Sequence, residues 1–246
     1  MVAFVRGIVT YFRALSFITS RGLSKYFLYS GLIGFAIILL FGGLIYGSAP
    51  FISEGLTSII PWEMDITSTI YKWLSVAFTS VLFFSIFKYL MLIFTAPLMS
   101  VLSERVEYEL TGEDYPGGKV LHILKEIARG IRINLRNIVR EIGVTILLFI
   151  LSFIPIFSVI TGPLIILVQG YYAGFGNHDF WAERHFSYRD TVRFMKSHKG
   201  MVAGNGVVYV FLLAIPILGA FIAPPLSTVA ATMEGITTLE QEYEDY

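Results

Sequence analysis

The stretch from Ile142 to Gly176 is apolar enough to enter a bilayer, yet Pro155, Gly162 and Pro163 interrupt it. Met201 to Gly235 repeats the design. Ile154-Pro155-Ile156 ahead of Pro163-Leu164 is echoed by Ile215-Pro216-Ile217 ahead of Pro224-Pro225-Leu226. Arms between such breaks run to roughly 12–14 residues, against the ~20 that a full crossing needs. Two hairpins that dip into the membrane and return on the side they entered satisfy the pattern. Irregular backbone at membrane depth survives only inside protein or beside a polar cavity. Paired discontinuous helices therefore point to a translocation or binding site.

Composition agrees with the class. Charged residues are 15% of the 246 and hydrophobic ones 55%, where a soluble domain carries about 25% charged. The mean hydropathy is +0.71. The whole chain, 1–246, reads as one integral-membrane domain. With no cysteine it has no disulfides or thiolate metal sites, and no removable signal peptide is expected.

Met1 to Ser20 reads as an N-terminal interfacial helix. Arg6, Thr10, Arg13 and Ser20 share a narrow face among apolar residues such as Phe4, Val9 and Phe12. The first arm of another membrane hairpin is the alternative, since only two charges interrupt it. After the turn Ser20–Lys25, Tyr26 to Gly47 supplies a first uncharged crossing and Trp73 to Pro97 a second. Lys88 is the one charge within those crossings. It either faces the bundle in a functional role or snorkels to the interface. A helix from Leu98 to Leu110 follows, stopping at Thr111-Gly112. On it Glu104 and Glu107 stand near Arg105, and with Lys88 they read as one pathway or charge network. The expected fold is all-α: two transmembrane helices, two hemi-penetrating helical hairpins and the interfacial helix.

His122, Lys125, Arg129, Arg132, Arg136 and Arg140 step by three or four residues into a basic stripe opposite Leu121, Leu124, Ile131 and Leu135. Attraction of an anionic substrate, contact with anionic membrane lipids and nucleic-acid binding remain open for it. No aromatic-interleaved face accompanies the stripe, so nucleic acid is not an expected partner. Every Lys and Arg except Lys72 and Lys88 lies in Met1–Lys25, Arg105–Arg140 or Arg184–Lys199. The positive-inside rule then puts both termini and both hairpin mouths in the cytoplasm of a multi-pass inner-membrane protein, with Ser48–Lys72 outside.

Catalytic patterns fail. Gly112-Glu113-Asp114-Tyr115-Pro116-Gly117-Gly118-Lys119-Val120 has one residue too many for a phosphate loop and lacks the magnesium-binding hydroxyl. Asn177 to His185 reads as a polar loop without metal-ligand spacing. No enzyme activity, metal or cofactor is expected.

Pro97-Leu98-Met99-Ser100-Val101-Leu102-Ser103-Glu104-Arg105-Val106-Glu107-Tyr108-Glu109-Leu110-Thr111-Gly112 resembles the segment after the second crossing in the CysZ sulfate permease family, which is grouped with the etoposide-induced membrane proteins. The paired Ile-Pro-Ile hairpins and Ala230-Ala231-Thr232 are also similar, and the likeness runs from about Phe12 to Met233. It implies sulfate or a related oxyanion as cargo, moved into the cytoplasm for sulfur assimilation, and homo-oligomers that assemble the pathway. A non-transporting membrane scaffold of the wider family is the alternative. The family's sulfate-binding Gly-Leu/Ile-Arg-Arg turn corresponds to Gly22, Leu23, Ser24 and Lys25. Ser24 and Lys25 replace its two arginines, while Arg21 flanks Gly22 from the other side. The resemblance thus makes Arg21, Gly22, Leu23, Ser24 and Lys25 the expected oxyanion site.

Overall fold

The computed structural model describes residues 2–40, 43, 67–112, 120–215 and 217–244, with side-chain detail from residue 84 in the third helix and residue 129 in the fourth. Its helices are α1 Val2–Ser20, α2 Lys25–Leu40, α3 Thr67–Thr111, α4 Val120–Leu151, α5 Pro155–His185, α6 Tyr188–Ser197, α7 Lys199–Leu213 and α8 Leu218–Glu244. Among the described residues there is no strand. The protein is all-α, and Val2–Ser20, Phe84–Thr111 and Ile156–His185 are each long and apolar enough to cross a membrane. Most of the expected outer segment, residues 48–66, lies outside the described residues, as do 113–119 in the rejected phosphate loop.

The second expected crossing and the helix after it form one rod. α3 passes through Pro97 without a break for 45 residues, about 68 Å at 1.5 Å per residue. It ends where Gly112 takes φ 76°, the left-handed conformation that stops a helix cheaply only with glycine. Likewise α4 fuses the basic stripe to the first hairpin arm in a single 32-residue helix.

Each hairpin has one break, where the prolines and glycine suggested two. The first falls at residues 152–154, and Pro155 begins α5, a position where its missing N–H costs nothing. Pro163 stays inside α5, and Pro224 and Pro225 inside α8. An interior proline frees the carbonyl four residues earlier. For Pro224 that carbonyl is Ala220 O, and Ser30 Oγ of α2 donates to it at 2.7 Å. A hydroxyl on a neighbouring helix thus supports the bond the proline removes, and the helix continues. The second tip follows Leu213, where α7 ends, and precedes Leu218, where α8 begins; Ile217 there holds φ 63°, a conformation unfavourable for a β-branched residue. Tip residues are bare: Ile156 is 77% exposed, Val159 80% and Ile217 61%.

Glycines set how closely the helices meet. A side chain on Gly174 or Gly206 would overlap the backbone of the opposing helix, so α5 and α7 touch main chain to main chain there. Gly31 and Gly34 likewise allow close approach, against Phe221 and Ala220. α1 lies on α7 and α8 through Gly7, Tyr11, Ala14 and Ile18, while Val2 and Phe12 are exposed at 83% and 75%. Of its expected polar face, Thr10 is buried and Arg6 and Arg13 are exposed.

Candidate functional site

The Arg21–Lys25 turn joins α1 to α2. Leu23 N donates to Ile18 O at 3.0 Å and Arg21 N to Phe17 O at 3.0 Å, closing α1 around Gly22 at φ 68°. Leu23 is buried and anchors the turn. α2 then opens with Tyr26 N donating to Leu23 O and Phe27 N to Ser24 O, both at 3.1 Å. Those two amides are therefore spoken for. Among the described residues, the amides of Ser24 and Lys25 have no backbone acceptor. Lys25 Nζ lies 5.7 Å from the centre of the Tyr26 ring.

Arg21 has a carboxylate partner. Its Nη1 is 2.8 Å from Glu109 Oε2, and Arg105 Nη2 is 2.7 Å from Glu109 Oε1. Two guanidiniums bracket Glu109, Glu104 acts on Tyr26 from the same side as Arg105, and Lys25 brings the junction to one surplus positive charge. Arg21 also borders a cavity of about 620 Å³ between α1, the end of α3 and α8, shared with Arg6, Arg13, Glu234 and Glu240. Arg6 Nη1 reaches Gln241 Oε1 at 3.2 Å. Glu234 is buried and faces His178 Nε2 at 3.4 Å. The cavity therefore mixes both signs of charge.

Of the residues grouped by sequence as one network, Lys88, Arg105 and Glu107 each pair with a residue outside the group. Lys88 is fully buried and sits 2.7 and 2.6 Å from the two carboxylate oxygens of Glu141 on α4. Ser85 Oγ and Tyr89 Oη donate to the same carboxylate at 3.0 and 2.8 Å. Lys88 does not snorkel. Glu107, buried on the stretch of α3 beyond Pro97, takes Arg184 Nε at 2.8 Å and Trp181 Nε1 at 3.2 Å, with His185 Nε2 at 2.5 Å. Arg105 belongs with Glu109 and Arg21, and Glu104 is half-buried on the same helix.

Two features escaped the sequence reading. Glu141 follows Arg140 of the basic stripe, and nothing in its own neighbourhood marks it as the partner of Lys88. The stretch Asn177–His185, read as a loop, is the last part of α5. Its polar residues are buried by partners from other helices: Asn177 Nδ2 donates to Asn205 Oδ1 at 2.9 Å, and Asp179 pairs with Arg129 at 3.3 Å. A run of polar residues looks like a loop when the helices that satisfy it lie far along the chain.

An all-helical membrane protein with two proline-broken apolar hairpins and a cation-flanked helix junction is the class these features define. Residues 10–224 match the family described as Sulfate transporter CysZ/Etoposide-induced protein 2.4, and the chain belongs to that family. It is 26% identical over 194 residues to the Sulfate transporter CysZ of Pseudomonas fluorescens (strain Pf0-1), covering 76% of this chain and 77% of the relative. To the protein of the same name in Pseudomonas syringae pv. tomato it is 29% identical over 203 residues, covering 80% and 79%. For that of Vibrio cholerae O395 the values are 26% over 196 residues, 78% and 76%.

Proposed function

We propose that this protein is a sulfate permease, moving sulfate or a closely similar oxyanion across the inner membrane into the cytoplasm. The supporting observation is the set of relatives named Sulfate transporter CysZ, aligned over about three quarters of both chains. Oxyanion capture is assigned to Arg21, Gly22, Leu23, Ser24 and Lys25. Helix-start amides and the positive end of the α2 dipole suit an anion, and the surplus of Arg21, Lys25 and Arg105 over Glu104 and Glu109 adds to them. Lys25 supplies a point charge where arginine's planar fork would grip bidentately.

Both hairpins are taken to enter from the cytoplasm without crossing. Arg140 lies fourteen residues before the tip at Ile154, and Lys199 fifteen before Ala214. At 1.5 Å per residue the ascending arms on α4 and α7 then reach about 21–22 Å, short of a hydrocarbon core of about 30 Å, and they limit the depth of the tips although the returning helix α5 is itself long and apolar enough to cross. With few elements per chain to enclose a polar route, a homo-oligomer is the working form. Bringing a dianion inward against about 100 mV costs about 4.6 kcal/mol, at 2.3 per charge, so inward flow needs a coupled ion or rapid consumption inside. Labelling of cysteines placed at Ile160 and Gly219 from the outside as strongly as one at Thr57 would rule out this topology.

The pairing of Arg21 with Glu109 favours a second reading, a non-transporting scaffold whose basic residues meet lipid headgroups. Radiolabelled sulfate uptake into proteoliposomes separates the two: uptake above protein-free vesicles supports the permease, and none supports the scaffold.

A further inference from the structure

A different cavity carries the stronger uncompensated charge. A space of about 420 Å³ is lined by Arg136, Arg140, Tyr171, Tyr172, Lys196 and Lys199. These six come from four helices: two arginines from α4, two tyrosines from α5, and one lysine each from α6 and α7. No carboxylate lines it. Asp179, within electrostatic reach of Arg136, is taken by Arg129 at 3.3 Å. Glu141, next to Arg140, is taken by Lys88. Among the described residues, no acid pairs with Arg136, Arg140, Lys196 or Lys199.

One arginine is held in position. Arg136 stacks 4.5 Å from the centre of the Phe175 ring, and its Nε and Nη2 donate to Asn137 Oδ1 at 3.3 and 2.9 Å. Arg140, Lys196 and Lys199 are exposed and free to close on a ligand. The same level is where apolar surface begins, with Val139, Leu135 and Leu147 exposed at 65%, 60% and 58%.

We propose that Arg136, Arg140, Lys196 and Lys199 form a second oxyanion site, binding a sulfate or phosphate group where the two hairpins leave the membrane. The chemistry is a tetrahedral anion with at least two acceptor oxygens, met by charge-assisted donors from three helices. Two sources fit that chemistry: free sulfate, and the phosphate of an anionic phospholipid whose chains would lie on the apolar side of α4. The membrane level assigned to the site rests on the same-side entry of the hairpins. Its occupancy by an anion does not depend on transport.

The test uses the full-length protein in nanodiscs and the double variant Arg140→Gln/Lys199→Gln, leaving the stacked Arg136 in place. Sulfate binding is measured calorimetrically in phosphatidylcholine discs, and retention of phosphatidylglycerol by native mass spectrometry. Losing charge-assisted bonds should weaken the bound group roughly 10- to 100-fold. A sulfate isotherm that loses one class of site supports the proposal with free sulfate as source. Loss of phosphatidylglycerol retention alone supports it with lipid as source. Wild-type behaviour in both arms overturns it. Lys196→Gln, a single exposed change, repeats the measurement should the double variant not fold. Sulfate uptake by wild-type vesicles combined with wild-type behaviour of the variants would remove this site only. No uptake combined with an altered variant would remove the permease reading only.

Discussion

Two ion pairs between a cation and a glutamate sit at different levels of α3, and their surroundings give them different work. Lys88 and Glu141 are both 0% exposed, and Ser85 and Tyr89 complete the carboxylate's hydrogen bonds. Arg21 and Glu109 are 52% and 17% exposed, and Arg105 crowds the same carboxylate. A buried, fully satisfied pair is closed to other ions, because opening it strands a charge in apolar surroundings. An exposed pair with a surplus cation exchanges partners at little cost. The first is a joint between α3 and α4; the second is a surface on which an anion can compete.

The largest effect should come from opening the joint. Glu141→Ala leaves Lys88 buried without a counter-charge and is expected to cost about 3–5 kcal/mol. Lys88→Met combined with Glu141→Leu should recover most of that loss. Denaturant titration in one detergent measures both, and a single-variant loss below about 1 kcal/mol would erase the contrast between the regions.

Glu107 is intermediate, buried but facing Arg184 and His185. Glu107→Gln removes the charge-assisted bond to Arg184, with an expected loss of about 1.5–3 kcal/mol. Denaturant titration in the same detergent measures it, and equal stabilities of wild type and Glu107→Gln would remove Glu107 from the contrast.

At the exposed end the effect should appear in binding. Lys25→Ala is expected to weaken sulfate by about 1.5–3 kcal/mol, if it makes one charge-assisted hydrogen bond. Ser24→Arg should tighten it by restoring part of the family's turn. Equal calorimetric affinities across wild type and both variants would strike the turn from the sites. Smallest of all, Arg21→Ala should change stability by no more than about 1 kcal/mol, since its guanidinium is half exposed and screened.

The helical class and the two hairpins were legible because apolar runs and prolines act locally. The same prolines misled on the number of breaks. Whether Pro224 ends a helix depends on Ser30, 194 residues earlier, donating to Ala220, and no local pattern carries that. The turn at Gly22 could be placed from sequence, since a glycine between two helical periodicities marks a C-terminus. Its charge balance could not, because Glu109 on α3 meets Arg21 only once α1 and α3 have both packed on α8. For the same reason Lys88 was noticed as a lone charge in an apolar run while Glu141, its partner, was not. The four cations of the second cavity come from segments spread over 64 positions, from Arg136 to Lys199, and only the fold gathers them.

The central claim is that the surplus positive charge at the α1–α2 junction serves sulfate entry. Its most direct test is sulfate uptake into proteoliposomes holding wild type, Lys25→Ala or Ser24→Arg, matched for protein content. Uptake by wild type, reduced in Lys25→Ala and raised in Ser24→Arg at limiting sulfate, is the predicted result. Uptake that is absent from all three, or identical in all three, would contradict it.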